Sequence, residues 1–224
     1  MRPEVVVFDV NETLSDMEPM RERFVAIGVS ADLLDTWFAS TLRDGFALTA
    51  AGATASFPDV AGDVLRTLLH GRSGLTTDID DAIGQVLGSM SALDVHPDVP
   101  EGMRILHDAG VRLVTLTNGS AAIAAKLFDK VGVAELVERR MSVDEPGRWK
   151  PAPESYRYAG DQCGVAMERM AMVAVHPWDL DGAKRTGMRT GFVNRLGRPF
   201  PSVFKAPDVS GPDLPAVARG LLAL

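Results

Sequence analysis

Apolar and polar positions change rhythm twice along the chain. Residues 4–10 form a short run rich in Val and Phe that stops at Asp9-Val10-Asn11-Glu12-Thr13, the pattern of a buried strand running into a loop. From Met17 to about Ala92 the spacing is helical: Phe24 and Ile27, then Leu33, Leu34, Trp37, Phe38, Leu42 and Phe46, then Val64, Leu65, Leu68 and Leu69, then Ile83, Val86, Leu87 and Met90. Apolar residues three and four apart share one helix face, so this stretch predicts four amphipathic helices with no strand between them. After Pro97 the rhythm alternates, with helices over 100–109, 121–131, 153–163 and 180–186 and strands over 111–117, 136–143, 170–175 and 190–193. The Pro- and Gly-rich stretch 195–215 reads as surface loop before a short last helix.

Strands alternating with helices specify a parallel sheet with right-handed crossovers. The expected fold is therefore α/β, a doubly wound parallel sheet (a Rossmann-like core) with a helical cap inserted after the first strand. Residues 1–15 and 96–224 would form the core and residues 16–95 the cap. The length of 224 residues suits one large domain or a core with a modest insertion, since a usual domain has about 150 residues.

The net charge of −7 argues against a basic footprint for nucleic acid or an anionic membrane. Any anionic substrate must then be met by local cations. The apolar run before Asp9 is too short for a signal peptide, whose core needs about 7 to 15 apolar residues, and no uncharged run approaches the ~20 residues of a membrane helix. The single cysteine, Cys163, cannot close an internal disulfide, and no Cys/His cluster has zinc spacing. A reducing cytoplasm is the expected location, and no metal site is expected.

In open α/β sheets the ligand lies beyond the carboxyl ends of the strands. Polar residues gather there: Asp9 after the first core strand, Thr117 and Asn118 after the second, Lys150 after the third, His176 and Asp179 after the fourth. Singly, such residues are often caps or turns. Four such positions in strand order make a site.

The four motifs are Phe8-Asp9-Val10-Asn11-Glu12-Thr13-Leu14, Leu116-Thr117-Asn118-Gly119-Ser120, Lys150-Pro151-Ala152-Pro153-Glu154-Ser155-Tyr156 and Trp178-Asp179-Leu180-Asp181-Gly182-Ala183. With them the chain resembles, over nearly its whole length, the haloacid dehalogenase superfamily and within it the L-2-haloacid dehalogenases (type II). Phosphatases of that superfamily carry a second Asp two residues after the nucleophile, as general acid and base. This chain has Asn11 there, which can do neither. A halide leaves without a proton, so the pattern points to carbon–halogen displacement.

The resemblance implies that Asp9 attacks C2 of a small 2-haloalkanoic acid and forms an aspartyl ester that water hydrolyses to the 2-hydroxy acid. It implies that Lys150 keeps Asp9 ionised, that Thr13 steadies the loop, and that Asp179 activates the water; the titratable His176, which the family pattern lacks, is a second candidate for that step. Substrate contacts would come from Val10, Asn11, Thr117, the backbone N–H of Asn118, Tyr156, Phe38, Arg43 and Trp178. No cofactor is implied, and a homodimer is.

The chain departs from the family at two places. The family has an Arg directly after the Trp of the second cap helix, where it helps hold the halide; Trp37 is followed here by Phe38. Arg43 stands about 140° around a helix from position 38, and Arg21 and Arg23 are the other candidates. The second departure is Ala174-Val175-His176, where the family has Ser and Asn. Two other readings stay open: a phosphatase-type hydrolase with Mg²⁺ on Asp9 and Asp179 or Asp181, and a non-catalytic relative that binds a small acid.

Overall fold

The computed structural model describes residues 2–224. The chain runs through strand β1 (Val5–Phe8) and the short β2 (Ser15–Asp16) into helices α1 (Met20–Ala26), α2 (Leu33–Ala50), α3 (Phe57–Leu69) and α4 (Ile79–Ser89), and returns through β3 (Asp94–Val95). It continues as α5 (Val99–Asp108), β4 (Arg112–Thr117), α6 (Ala121–Lys130), β5 (Val137–Ser142), α7 (Pro153–Cys163), β6 (Met170–Ala174), α8 (Pro177–Arg185), β7 (Arg189–Val193), β8 (Val209–Gly211) and α9 (Leu214–Leu222). The expected α/β doubly wound fold is the observed one.

Six strands form one parallel sheet in the order β5-β4-β1-β6-β7-β8. The order reverses at β1, so the crevice of a doubly wound sheet opens above it. All four residues of β1 and all five of β6 are buried, which is why both read as continuous apolar runs rather than alternating ones. Phe8 lies level with Thr115 of β4 and Val173 of β6. Asp9 therefore leaves the sheet at its carboxyl edge, where its N–H donates to Val173 O at 3.1 Å.

Three features differ from the expectation. The segment expected to contain only helices is bracketed by a two-stranded antiparallel pair, β2 with β3. The expected loop 195–215 contains the edge strand β8. Two- and three-residue strands carry no detectable period, so neither has a sequence signal. Helix α8 begins at Pro177 rather than 180, because proline suits the first helical turn. Trp178 and Asp179 thus sit in that turn.

The helical insertion is held to the sheet layer by aromatic residues. Trp37 is fully buried and its Nε1 donates to Ala61 O at 3.0 Å, tying α2 to α3. Trp149, just before Lys150, donates from Nε1 to Ala55 O at 3.0 Å and lays its ring on Gly45 of α2. A Cβ at Gly45 would fall inside that ring. No helix among the described residues is long and apolar enough to cross a membrane.

Candidate active site

Asp9 is the hub of a buried polar cluster above the switch in strand order. Lys150 Nζ donates to Asp9 Oδ1 at 2.9 Å and to Asp179 Oδ2 at 2.7 Å, with the lysine side chain completely enclosed. Thr13 Oγ1 donates to Asp9 Oδ2 at 2.7 Å and accepts from Val175 N at 3.1 Å, so it joins the loop after β1 to the end of β6. The Tyr156 hydroxyl donates to Asp179 Oδ1 at 2.6 Å. Gly182 gives it room, since a Cβ there would stand 2.7 Å from the Tyr156 oxygen. The Asn118 side chain accepts from Lys150 N at 2.9 Å and donates to Lys150 O at 3.2 Å, which pins the lysine's backbone.

The charges follow from this packing. Burial alone would raise the Asp9 pKa, but Lys150, His176 and Thr13 outweigh it and hold the carboxyl well below the usual range. Asp9 is therefore an ionised carboxylate. Burial would likewise lower Lys150, and its two carboxylate partners lift it instead. Asp179 is raised, because its burial and the charge of Asp9 exceed the help from Lys150 and Tyr156. Tyr156 is pushed well above its ordinary value by burial beside Asp179, so its hydroxyl stays a donor.

His176 completes the cluster. Its Nδ1 is 3.1 Å from Asp9 Oδ2 and its Nε2 is 2.8 Å from Glu12 Oε2. Burial works against its charge, yet the bonds to the two carboxylates lift its pKa to about 9. The ring stacks on Trp178, with centroids 5.0 Å apart, and faces Phe38 of α2 at 6.3 Å. Trp178 meets Phe46 of α2 edge-on at 4.9 Å. It is an aromatic wall between the insertion and the sheet layer.

A cavity of about 40 Å³ lies beside this cluster, between Asn11, Gly119 and Ser120 below and Phe57, Leu87 and Met90 of the insertion above. Val10 also lines it, one residue along from Asp9. Helix α6 starts at Ser120, so its partial positive charge faces the cavity. Thr117 is buried at the same edge and its Oγ1 accepts from Gly119 N at 2.9 Å.

Residues 3–187 match the model of a family described as haloacid dehalogenase-like hydrolase. The chain belongs to that family. It is 26% identical to haloacetate dehalogenase H-2 of Moraxella sp. (strain B) over 218 residues, 96% of each chain. It is 29% identical to (S)-2-haloacid dehalogenase 4A of Burkholderia cepacia over 203 residues, 86% of this chain and 84% of that one. A solved L-2-haloacid dehalogenase superposes with a TM-score of 0.90 at 26% identity, covering 99% of both chains.

Within this haloacid dehalogenase-like hydrolase several expectations need correction. Arg43 does not reach the site: its side chain is 70% exposed and paired with Asp44, as its angular offset from Phe38 dictates. Arg21 is held by Glu18, Asp35 and Ala31 O, and Arg23 is exposed. The side chain of Asn118 is engaged with Lys150, a contact that does not involve the backbone N–H expected to meet the substrate carboxylate. Asp181 bonds Arg185 and Lys205 N, away from Asp9, and Lys150 Nζ stands between Asp9 and Asp179 where the alternative reading needs a cation. Among the described residues no three His, Cys, Asp or Glu side chains group as metal ligands do. Glu12 was missed. Its one signal is a long acidic side chain next to Asn11 in a tight loop, which is weak without knowledge of His176.

Proposed function

We propose that this hydrolase converts a small 2-haloalkanoic acid to the 2-hydroxy acid through an ester on Asp9, without a cofactor. Asp9 attacks C2, the carbon–halogen bond breaks, and halide leaves with the bonding pair. Water then adds to Cγ of Asp9, and the Cγ–O bond to the substrate carbon breaks to restore the carboxylate. Lys150 keeps Asp9 ionised and Thr13 fixes its direction, while Tyr156 and Asp179 hold Lys150. Thr117, the Asn118 N–H and the start of α6 form the side that receives the substrate carboxylate. Residues 16–95 act as the cap over a core of residues 1–15 and 96–224, with Phe38 and Phe57 on the cap side of the site. We assign the enzyme to the cytoplasm, in keeping with a lone and buried thiol at Cys163.

The observation that carries this reading is an ionised carboxylate fixed by Lys150 with an amide, Asn11, in place of an acid two residues on. A leaving group that needs a proton would find none from that position. The cavity of about 40 Å³ next to Val10 and Gly119 has room for about three waters at about 10–15 Å³ each, in keeping with a small acid.

The test is halide release from 2-chloropropionate with and without EDTA, followed by one turnover in ¹⁸O-water with enzyme in excess. Halide release insensitive to EDTA, label in the Asp9 peptide, unlabelled product and inversion at C2 are expected. Label appearing first in the hydroxy acid would remove the ester from the mechanism. Phosphate-ester hydrolysis that needs Mg²⁺ and no halide release would replace the whole reading.

A further inference from the structure

Resting on that reading, we propose that Arg195 is a positioning residue for the displacement of halide. From the end of β7 it holds the main chain of Thr13, and through Thr13 the direction of the Asp9 carboxylate. Its grip depends on Asp98, where the chain has just returned from the cap.

The guanidinium of Arg195 is divided between two partners and bonds nothing else among the described residues. Its Nε lies 3.2 Å from both oxygens of Asp98, and its Nη2 lies 3.0 Å from both. This side-on fork occupies one edge of the planar group. The remaining nitrogen, Nη1, donates to Thr13 O at 3.0 Å. Thr13 stands 182 positions before Arg195 and Asp98 stands 97 before it, so neither bond follows from local chain geometry.

The loop after β1 is held in this way at three successive carbonyls. His96 Nε2 donates to Glu12 O at 3.0 Å, Arg195 to Thr13 O, and His96 N to Leu14 O at 2.9 Å. Burial and the neighbouring Arg195 charge lower the His96 pKa. Its ring is therefore neutral, with a single hydrogen that goes to Glu12 O. The loop needs holding from outside, because Glu12 has a φ of +60°, in the left-handed region that side chains disfavour. Leu14 N and Ser15 N both donate to Val10 O, which leaves the carbonyls of Glu12, Thr13 and Leu14 to the donors just named.

Arg195 is itself fixed at both ends. Asn194 closes the turn after β7, its side chain donating to Arg198 O and accepting from Arg198 N, each at 2.9 Å. Asp98 accepts from Leu214 N at 2.8 Å, at the start of α9. The guanidinium thus sits on a rigid platform, and Thr13 is placed against it.

That placement bears on the attack at C2. Thr13 Oγ1 has one proton, which it gives to Asp9 Oδ2 at 2.7 Å while accepting from Val175 N at 3.1 Å. A shifted main chain at Thr13 cannot keep both bonds. The Asp9 carboxylate would then be held by Lys150 on Oδ1 and His176 on Oδ2, and would lose the donor that comes from its own loop. Displacement needs the attacking oxygen in line with the carbon–halogen bond, and a misplacement of about 1 Å slows such steps about 100-fold. Thr117 and the start of α6 make no bond to Arg195, so substrate binding should survive while attack slows.

The experiment measures the rate of the first halide release from (S)-2-chloropropionate, the KM for that acid and the Tm. It compares wild type, Arg195→Met, Arg195→Lys, Thr13→Val and the double variant Thr13→Val with Arg195→Met. Arg195→Met should slow halide release about 10- to 100-fold, with KM within about threefold of wild type. Arg195→Lys returns a charge to Asp98 without the flat fork, which provides the test where the methionine variant fails to fold. It should regain much of the Tm and remain about tenfold slow. In the Thr13→Val background, Arg195→Met should slow release by less than about twofold more, because the hydroxyl through which it acts is gone, while Tm still falls. A role in stability alone gives the opposite result, a fall in Tm in both backgrounds with an unchanged rate per folded enzyme. Wild-type rates in Arg195→Met or Arg195→Lys, or losses that multiply with that of Thr13→Val, would overturn the positioning role alone. No halide from wild type would take the proposed function with it.

Discussion

Replacing Lys150 by methionine removes the charge at the centre of the cluster and nearly preserves its volume. The lysine is 0% exposed and bonds Asp9 and Asp179 at 2.9 and 2.7 Å, so the variant leaves two enclosed carboxylates with His176 as the only cation at either. Breaking a buried pair from one side costs about 3–5 kcal/mol, and the cavity contribution is small because methionine fills the space. For a chain of this size each kcal/mol moves Tm by about 2–4 °C, so Tm at pH 7 should fall by roughly 6–20 °C. The sign with pH follows from Asp179. Its pKa is already raised in the folded state, and without Lys150 it rises further. A carboxyl whose folded value exceeds its unfolded one gains relative stability as pH falls through the folded value. The gap to wild type should therefore narrow on acidification from neutral pH. Halide release should drop at least about 100-fold, the equivalent of ~3 kcal/mol. Calorimetric melts across this pH range decide the matter: a Tm within about 2 °C of wild type, or a gap constant with pH, would mean that Lys150 does not hold these charges together.

Asp9→Asn, nearly the same shape with a poor nucleophile, should abolish halide release and show no adduct by mass; residual turnover near wild type would remove Asp9 from the reaction. The His176 pKa is raised from 6.5 to about 9, so its stabilisation is present below about 6.5 and lost as pH rises through about 9, at most about 3 kcal/mol. Urea melts should show that alkaline loss, and His176→Gln should flatten it; a loss of equal size in the variant would place its origin elsewhere. Gly45→Ala puts a methyl into the Trp149 ring and should destabilise by about 1–3 kcal/mol, with a wild-type melt refuting the docking of α2 on this loop.

Much of this arrangement was legible in the chain because the motifs lie at strand ends. Asp9, Thr13, Lys150, Tyr156, His176 and Asp179 each follow a recognisable apolar strand or open a helix, and the switch in strand order brings them together. What escaped depends on distance and direction. Glu12 meets its partner, His176, 164 positions away, and nothing local marks it except the conformation of its backbone. The Asn118 side chain is a clamp on Lys150, 32 positions on, a second task beside the one expected of its backbone N–H. Arg43 carries a cation within two turns of Phe38 but pairs with Asp44 at the surface. Helical angle sent it outward, and Phe38 kept the inner position.

The seat of Asp9 on the central strand also governs when the reactive group comes into being. Its lysine lies 141 residues further along and its histidine 167, and β1 cannot be flanked until β4 and β6 both exist. At a synthesis rate of about 5–20 residues per second, roughly ten to thirty seconds separate the emergence of Asp9 from that of His176. Throughout that interval the carboxylate is an ordinary aspartate in water, neither fixed nor desolvated. A nascent or truncated chain thus presents Asp9 as no more reactive than any other aspartate, and preferential alkylation of Asp9 over other carboxylates reports completed folding rather than mere presence of the polypeptide.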